Sequence, residues 1–265
     1  MRINTFKLWT ALALTLIILA GCSLLGERKR FQSSWQKTYD RTWVGPDCWA
    51  NRLQDWRVAN GRLECVEGAS SKPMRTVHLL TRWLSEKKGY LRMRVLSGLV
   101  KETDEVSPDA KTGFLVGAGK GLDYRAAALI HHSHGPGAGL FAGMDCQGNL
   151  FVYDFAEDRL IIEAKGKSSM QKIKLELTAR PDGPKYRLTL KASHPETGEN
   201  LNSLTLGEVD PERLKGNLAL VSHAGTGHGN HRFWFKDWKV SGSKLAHNPD
   251  RSCGPVLSTQ HTLSR

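Results

Sequence analysis

Apolar and polar side chains alternate along much of this chain, which indicates β-strands that bury one face and expose the other. In residues 90–96, every second side chain is apolar, and Arg92 and Arg94 lie between them on the solvent face. Residues 173–177 and 186–192 repeat this alternation, and the Pro-Asp-Gly-Pro sequence between them is typical of a tight turn. The pattern therefore predicts antiparallel hairpins with one face in water.

One predicted strand lacks this alternation because it is apolar on both faces. Residues 233–235 read Phe-Trp-Phe, so large apolar groups project from both sides, as expected for a central strand that is covered twice. Residues 55–67 have a similar composition and contain Asn-Gly between two alternating runs, which predicts a hairpin with a two-residue turn. We predict a sandwich in which this early hairpin meets the last strand.

The remaining apolar runs are short and closely spaced. Further strands are predicted at residues 76–84, 114–117, 124–131, 150–155, 160–164, 201–206 and 218–222. The glycine-rich stretch 117–121 is a hairpin connection, since no helix follows that would complete a dinucleotide site. Only residues 211–214 suggest a helical turn. Roughly a dozen strands, with no amphipathic helix after the N-terminal segment, indicate an all-β antiparallel sandwich or barrel.

The first 21 residues have the pattern of a lipoprotein signal peptide. Arg2 and Lys7 precede an apolar stretch at 8–20 that is too short for a membrane span of about 20 residues. Leu-Ala-Gly-Cys at 19–22 is similar to a lipobox, in which the Cys22 thiol is diacylated and becomes the first mature residue. The alternative is an ordinary cleaved signal with Cys22 incidental. Since Ser23 follows, we predict an outer-membrane lipoprotein of the bacterial cell envelope that faces the periplasm or the exterior.

The chain is strongly basic. Residues 1–21 hold two of its basic residues and no acid, so cleavage changes the formal charge from +12 to about +10. This charge favours lipid head groups, phosphorylated or sulfated polymers, or nucleic acid as partners. No RNA-binding signature and no helix for a DNA groove occurs, so no specific nucleic-acid partner is predicted. A basic cluster predicts that residues 22–44 form a tether on the membrane; it comprises Arg28, Lys29, Arg30, Lys37 and Arg41.

Four cysteines remain once Cys22 is assigned to the anchor: Cys48, Cys65, Cys146 and Cys253. In an oxidising compartment they allow two disulfides, in any of three connectivities. The alternative is that Cys65, which has the strand parity of buried neighbours, is a free thiol. Their spacing fits no paired zinc knuckle.

The order of residues resembles a concanavalin A-like (laminin G-like) jelly-roll domain, and more narrowly the domain that precedes the catalytic part of bacterial alkaline phosphatase D-type metallophosphatases. The segments that carry this resemblance are residues 48–49, 61–65, 76–81, 113–117, 123–129 and 233–242. The resemblance implies a sandwich over 45–245, a connecting segment over 246–265, and a metallophosphatase domain or neighbouring protein as partner. Its motifs are those of a fold and not of a catalytic centre.

Six of the ten histidines lie in two glycine-rich segments, 131–139 and 222–231. Two such loops that meet at the concave edge of a sandwich could form a ligand or metal site. The residues predicted to line it are His131, His134, His228, His231 and Trp234. Ca²⁺ and Zn²⁺ are the metals considered, and no cofactor is assigned. The alternative is that these histidines are exposed and hydrogen-bonded within their own loops.

Motifs for catalysis are incomplete. Residues 229–231 match the Gly-Asn-His box of metallophosphoesterases, but the two aspartate boxes that hold the metals do not occur. Carboxylates stand singly on the predicted strands, at Glu64, Asp154, Glu163 and Glu176, so the pair used for glycoside hydrolysis is not expected. We predict that this chain carries no catalytic site of its own.

These inferences combine into one functional hypothesis. The chain is predicted to be a lipid-anchored, non-catalytic binding or positioning domain for a glycan or an anionic polymer, associated with an alkaline phosphatase D-type phosphatase. The alternative is a metal-dependent hydrolase of glycan or phosphate esters that uses the histidine-rich loops. Tryptophans can stack on sugar rings, but Trp56 and Trp238 have the pattern of core residues, which leaves Trp234 as the ring to test.

Overall fold

A computed structural model describes residues 29–50, 52–68, 73–101, 107–119, 137–166, 172–226 and 231–247. Two antiparallel sheets form a sandwich. The strands of the eight-stranded sheet are β1 (Arg30–Gln32), β3 (Trp56–Ala59), β4 (Arg62–Cys65), β7 (Leu91–Leu99), β12 (Lys172–Asp182), β13 (Lys185–Ser193), β14 (Asn200–Val209) and β16 (Phe233–Ser241). Their order is β14-β13-β12-β7-β16-β4-β3, and β1 pairs with β16.

The opposing sheet has seven strands, which are β2 (Cys48–Ala50), β5 (Met74–Leu79), β8 (Lys111–Ala118), β9 (Leu140–Asp145), β10 (Leu150–Asp154), β11 (Arg159–Ala164) and β15 (Asn217–His223). Their order is β11-β10-β9-β8-β15-β5-β2. A small separate pair joins β6 (Arg82–Leu84) to β17 (Leu245–His247). Short 3₁₀ helices occur at Trp35–Lys37, Leu53–Asp55 and Pro211–Leu214. Within these ranges, none of the helices is long and apolar enough to cross a bilayer.

The core lies between the two sheets and is built by the predicted alternation. In β7, Leu91, Met93 and Val95 are buried, whereas the arginines between them face outward. Strands β12 and β13 repeat this pattern around a turn at Gly183, whose φ of 59° suits glycine. The all-β antiparallel sandwich predicted from the sequence is therefore confirmed.

Strand β16 is an interior strand of its sheet. It lies between β7 and β4, and residues 233–235 are buried on both faces. Phe235 pairs with Leu63 of β4, so the early hairpin meets the late strand as predicted. Trp56 and Trp238 are fully buried, which confirms their assignment to the core.

The sandwich begins earlier than the predicted boundary at residue 45. Phe31 of β1 pairs with Val240, and Phe31, Trp35 and Val44 are buried in the core. Residues 30–44 are therefore part of the fold, and the predicted tether 22–44 is wrong for this portion. Arg30 is exposed next to the buried Phe31, and Lys37 follows the buried Trp35, so a segment with many charges also supplies core residues. At the other end, β17 continues two residues past the predicted boundary at 245.

Two strand predictions differ from the structure. The predicted strand 76–84 is divided into β5 and β6, which belong to different sheets. Strand β9 was not predicted, and all of its residues are buried. The run 124–131 lies outside the described residues.

The described cysteines are free thiols. Cys48, Cys65 and Cys146 are all buried and unbridged, so the two-disulfide interpretation, which needs all four cysteines, is wrong. Burial raises the pKa of the Cys65 thiol to about 11 and that of Cys146 to about 12, and burial also raises the pKa of Cys48. Cys253 lies outside the described ranges.

Because the thiolate is the reactive form, we expect these three thiols to react slowly in the native protein. Labelling with a disulfide reagent at pH 8, followed by peptide mass analysis, should modify them only after unfolding in guanidinium chloride. Rapid labelling of all three in the native state would contradict this expectation.

Candidate functional site

The eight-stranded sheet has a polar outward face. It is formed by the alternate residues of each strand, which point away from the core. On the central strands these outward residues are mainly arginine and lysine. Strand pairing places Arg94 of β7 directly opposite Lys239 of β16, and Arg180 of β12 opposite Arg187 of β13. This face therefore concentrates positive charge across neighbouring strands.

Three adjoining cavities form one groove on this face. The first, of about 920 Å³, is lined by residues of β1, β6, β7 and β16, by Tyr90 before β7 and by Asp47 before β2. It shares Tyr90 and Ser241 with a second cavity of about 610 Å³, which shares Glu176, Thr178 and Arg180 with a third of about 240 Å³. We call the three together the basic groove. Its charged lining residues are Arg30, Asp47, Arg82, Arg92, Arg94, Glu176, Arg180, Arg187, Lys191 and Lys239.

The two acids of the basic groove do not neutralise it. Glu176 is paired with Arg92 at 2.7 Å. Burial raises the pKa of Asp47, against the lowering effects of a Thr81 hydrogen bond and the Arg82 charge. In the described part of the chain, Arg94, Lys239 and Lys191 have no carboxylate within 4.0 Å. The groove therefore carries an excess of unpaired cations, which favours an anionic ligand.

Two of the sequence-predicted site residues are described, and both are buried. Trp234 is 6% exposed, and the Arg62 guanidinium lies 4.9 Å from its ring centroid. His231 is 7% exposed, and its Nε2 accepts a hydrogen bond of 2.7 Å from the Ser107 backbone N–H. His131, His134, His228 and Cys22 lie outside the described residues. A joint ligand site of these histidines stays a prediction.

The described ends of the two histidine segments lie at opposite ends of β15. Gly119 and Gly137, which flank 120–136, are hydrogen-bonded to each other at 2.7 Å near the start of β15. Thr226 and His231, which flank 227–230, follow its end. The seven residues of β15 span about 20 Å. A shared patch therefore requires one segment to reach along this strand.

A compact polar cluster lies where β15 ends. Asp109 accepts hydrogen bonds from the Thr226 backbone N–H at 2.6 Å and from the Thr226 hydroxyl at 2.5 Å. Burial alone would raise the pKa of Asp109, but these bonds and one from the Ser107 hydroxyl lower it overall. Among the described residues, no group of three or more His, Cys, Asp or Glu side chains is placed to hold a metal ion.

His223 in this cluster gives the protein a predicted pH dependence. Burial, with a contribution from the Lys111 charge, lowers its pKa from 6.5 to about 4, against the opposing charge of Asp109. Between these pH values the unfolded state binds the proton and the folded state does not. Stability is therefore fully present above pH 6.5 and is lost as the pH falls towards 4.

We expect the thermal midpoint of the protein to fall over this window, by an amount that corresponds to at most about 3 kcal/mol. A His223→Gln variant should lose less stability between pH 7 and pH 4.5, because glutamine binds no proton. Equal slopes for the variant and the wild type would contradict this assignment.

No family model matches the sequence, and no curated protein matches it. Solved structures do share the fold. Lectin UEA-II complexed with galactose superposes with a TM-score of 0.57 and 13% identity, over 80% of this chain and 98% of the lectin. Peanut lectin with a nine-residue peptide superposes with a TM-score of 0.54 and 11% identity, over 83% of this chain and 100% of the lectin. A variant of the carbohydrate recognition domain of Emp46p superposes with a TM-score of 0.56 and 11% identity, over 80% of this chain and 95% of that domain.

At these identities the likeness establishes the fold alone. The sandwich is a concanavalin A-like jelly roll of the kind found in legume lectins, as the resemblance in the sequence implied. The basic groove was not among the predicted sites, although its signal was present. From the sequence alone, the alternating arginines and lysines of β7, β12 and β13 indicate only the outer face of amphipathic strands, in water or covered by a loop, and not a binding site.

Proposed function

We propose that this chain is a non-catalytic module that binds a glycan or another anionic polymer in the basic groove. The observation that carries the proposal is the lining of the groove, where eight arginines and lysines outnumber two acids. Arg92 and Arg187 are ion-paired, whereas Arg94, Lys191 and Lys239 have no described carboxylate within 4.0 Å. The fold supports the glycan, since UEA-II was solved with galactose and the Emp46p domain is a carbohydrate recognition domain. An extended groove over several strands suits a linear polymer better than a small ligand.

The binding module is further proposed to be held on the cell envelope by a lipid on Cys22. The support is the lipobox at 19–22. We expect the full-length protein to fractionate with membranes and to carry a diacylglyceryl mass. Cys22→Ala protein that stays membrane-bound through detergent-free washes would contradict the anchor.

Association with an alkaline phosphatase D-type phosphatase is the third part of the proposal. It rests on the sequence resemblance alone. The coding sequence downstream of this chain tests it. If neither an in-frame continuation nor a neighbouring metallophosphatase gene is found, the module acts without such a partner.

Polymer binding is tested with the soluble protein and matched polysaccharides. Affinity for dextran sulfate and polygalacturonate should exceed that for neutral dextran and should fall as salt screens the charges. Replacing Arg180 and Lys191 with alanine should weaken acidic-polymer binding roughly ten- to thirtyfold, since each cation near an anionic surface contributes about 1 kcal/mol.

The matched control removes two cations outside the groove. Arg159 begins β11 of the other sheet and Lys165 follows its end, and an Arg159→Ala/Lys165→Ala variant loses the same formal charge. It should bind acidic polymers nearly as the wild type does. Equal losses in both double variants would indicate a net-charge effect and would contradict a site in the groove.

A further inference from the structure

A β-bulge interrupts the pairing of β16 with β7 beside the basic groove. Lys236 pairs with Leu96 and Lys239 with Arg94, so Asp237 and Trp238 together face the single residue between them on β7. Asp237 has a φ of 55°, a conformation that non-glycine residues adopt infrequently. The Gln36 side-chain amide donates a hydrogen bond to its carboxylate and holds it in place.

The bulge changes which side chains of β16 face outward. In an uninterrupted strand that exposes Lys236, residue 238 would face outward and residue 239 inward. The extra residue reverses this order, so Trp238 is fully buried and Lys239 lines the groove. Lys239 therefore stands beside Arg94 because of one inserted position.

The resulting cross-strand pair is a pair of like charges. Side chains directly opposite on antiparallel strands have Cβ atoms about 4.5–5.5 Å apart, and like charges there are destabilising. Glu176 is the cross-strand neighbour of Arg94 on its other side, but its carboxylate bonds Arg92 instead. Within the described chain, neither Arg94 nor Lys239 forms an ion pair with a carboxylate within 4.0 Å.

We propose, building on the function proposed above, that Lys239 and Arg94 form a two-cation clamp for one acidic group of a polysaccharide. A carboxylate or sulfate between them would accept hydrogen bonds from the guanidinium and the ammonium together, and would remove the repulsion. Carboxylate and sulfate share this chemistry, and the test below separates them.

The neighbours of the clamp indicate that the acidic group belongs to a sugar. Gln32 pairs with Lys239 on the next strand and lines the same cavity, where its amide is a further donor. Tyr90 lines that cavity with 47% of its surface exposed, which offers a ring for the apolar face of a sugar. Arg180 and Lys191 lie further along the groove, where they suit later acidic groups of the same polymer.

The test compares Arg94→Gln, Lys239→Gln and the double variant with the wild type. Neutralising the pair should raise the thermal midpoint of the free protein by about 1–3 °C, since the repulsion is relieved. Affinity for the acidic polysaccharide should fall at least tenfold. Loss of polygalacturonate binding assigns a carboxylate clamp, and loss of dextran sulfate binding assigns a sulfate clamp.

The control is Lys236→Gln. Lys236 lies on the same face of the same strand but does not line the groove, so this variant removes one charge outside the clamp. The affinity of this variant for the acidic polysaccharides should stay within about threefold of that of the wild type. If the variants of Arg94 and Lys239 have a lower thermal midpoint and unchanged polysaccharide binding, the two side chains contribute only to stability and the clamp is wrong. A loss confined to polyphosphate or to vesicles of anionic lipid would also overturn the clamp.

The clamp and the proposed function fail in different ways. If Arg180→Ala/Lys191→Ala weakens binding and the clamp variants do not, the groove binds the polymer without the clamp. If the wild type binds no acidic polysaccharide, both proposals are wrong.

Discussion

Replacing Asp55 with alanine should lower the free energy of unfolding by about 3–5 kcal/mol, because it leaves a buried arginine without its carboxylate. Asp55 and Arg75 are both buried, and Arg75 Nε lies 2.6 Å from Asp55 Oδ2. A charge at such a position cannot regain the water that it lost on folding. Equilibrium unfolding in guanidinium chloride measures the change.

Two further variants separate this pair from its surroundings. Arg52 also contacts Asp55, at 3.1 Å, but its side chain is half exposed, so Arg52→Ala should cost less than about 1 kcal/mol. An Asp55→Ala/Arg75→Met variant should recover part of the loss, because no buried charge remains. A loss below 1 kcal/mol for Asp55→Ala would show that water reaches Arg75.

Truncating Trp238 should have an effect of similar size. Trp238 contacts Phe31 edge-on with ring centroids 5.2 Å apart and stacks on Trp35 at 6.3 Å. It thereby holds residues 31–35 against β16. We expect Trp238→Ala to destabilise the protein by about 3–5 kcal/mol, since it removes a large side chain from a closed core.

A more conservative change isolates packing from hydrogen bonding. The Trp238 indole N–H is buried and has no hydrogen-bond partner among the residues that the structure describes, so Trp238→Phe keeps much of the apolar contact and removes only this donor. Trp238→Phe should therefore lower the free energy of unfolding much less than Trp238→Ala does. Trp83→Ala, at a ring that is 37% exposed, is the control and should change stability little. Similar losses for Phe and Ala at position 238 would contradict this account.

Alternation revealed β7, β12 and β13, which have one face in water, and uninterrupted apolar runs indicated the covered strands β8 and β15. Strand β9 is covered in the same way, but it was missed because a glycine interrupts its short apolar run. Gly143 within it resembles a turn residue in the sequence. In the structure a Cβ there would collide with the Thr112 carbonyl oxygen on the adjacent strand, so this glycine permits close packing.

The basic groove could not be located from the sequence because it depends on strand register. Arg94 and Lys239 belong to distant parts of the chain and become neighbours only through the pairing of β7 with β16. The bulge at Asp237 shifts that register by one residue, and no local motif marks it. The excess of arginine and lysine was visible from composition, and it predicted an anionic partner without a place for it.

The pairing of β1 with β16 also has a consequence for how the chain folds. Phe31 finds its partner Val240 almost at the other end of the described chain, so this contact closes a very long loop. Contacts of such high sequence separation form slowly, and their partners stay exposed until then. Strand β1 emerges during synthesis long before its partner β16. We therefore expect β1 to be among the last parts of the sandwich to become protected from proteolysis.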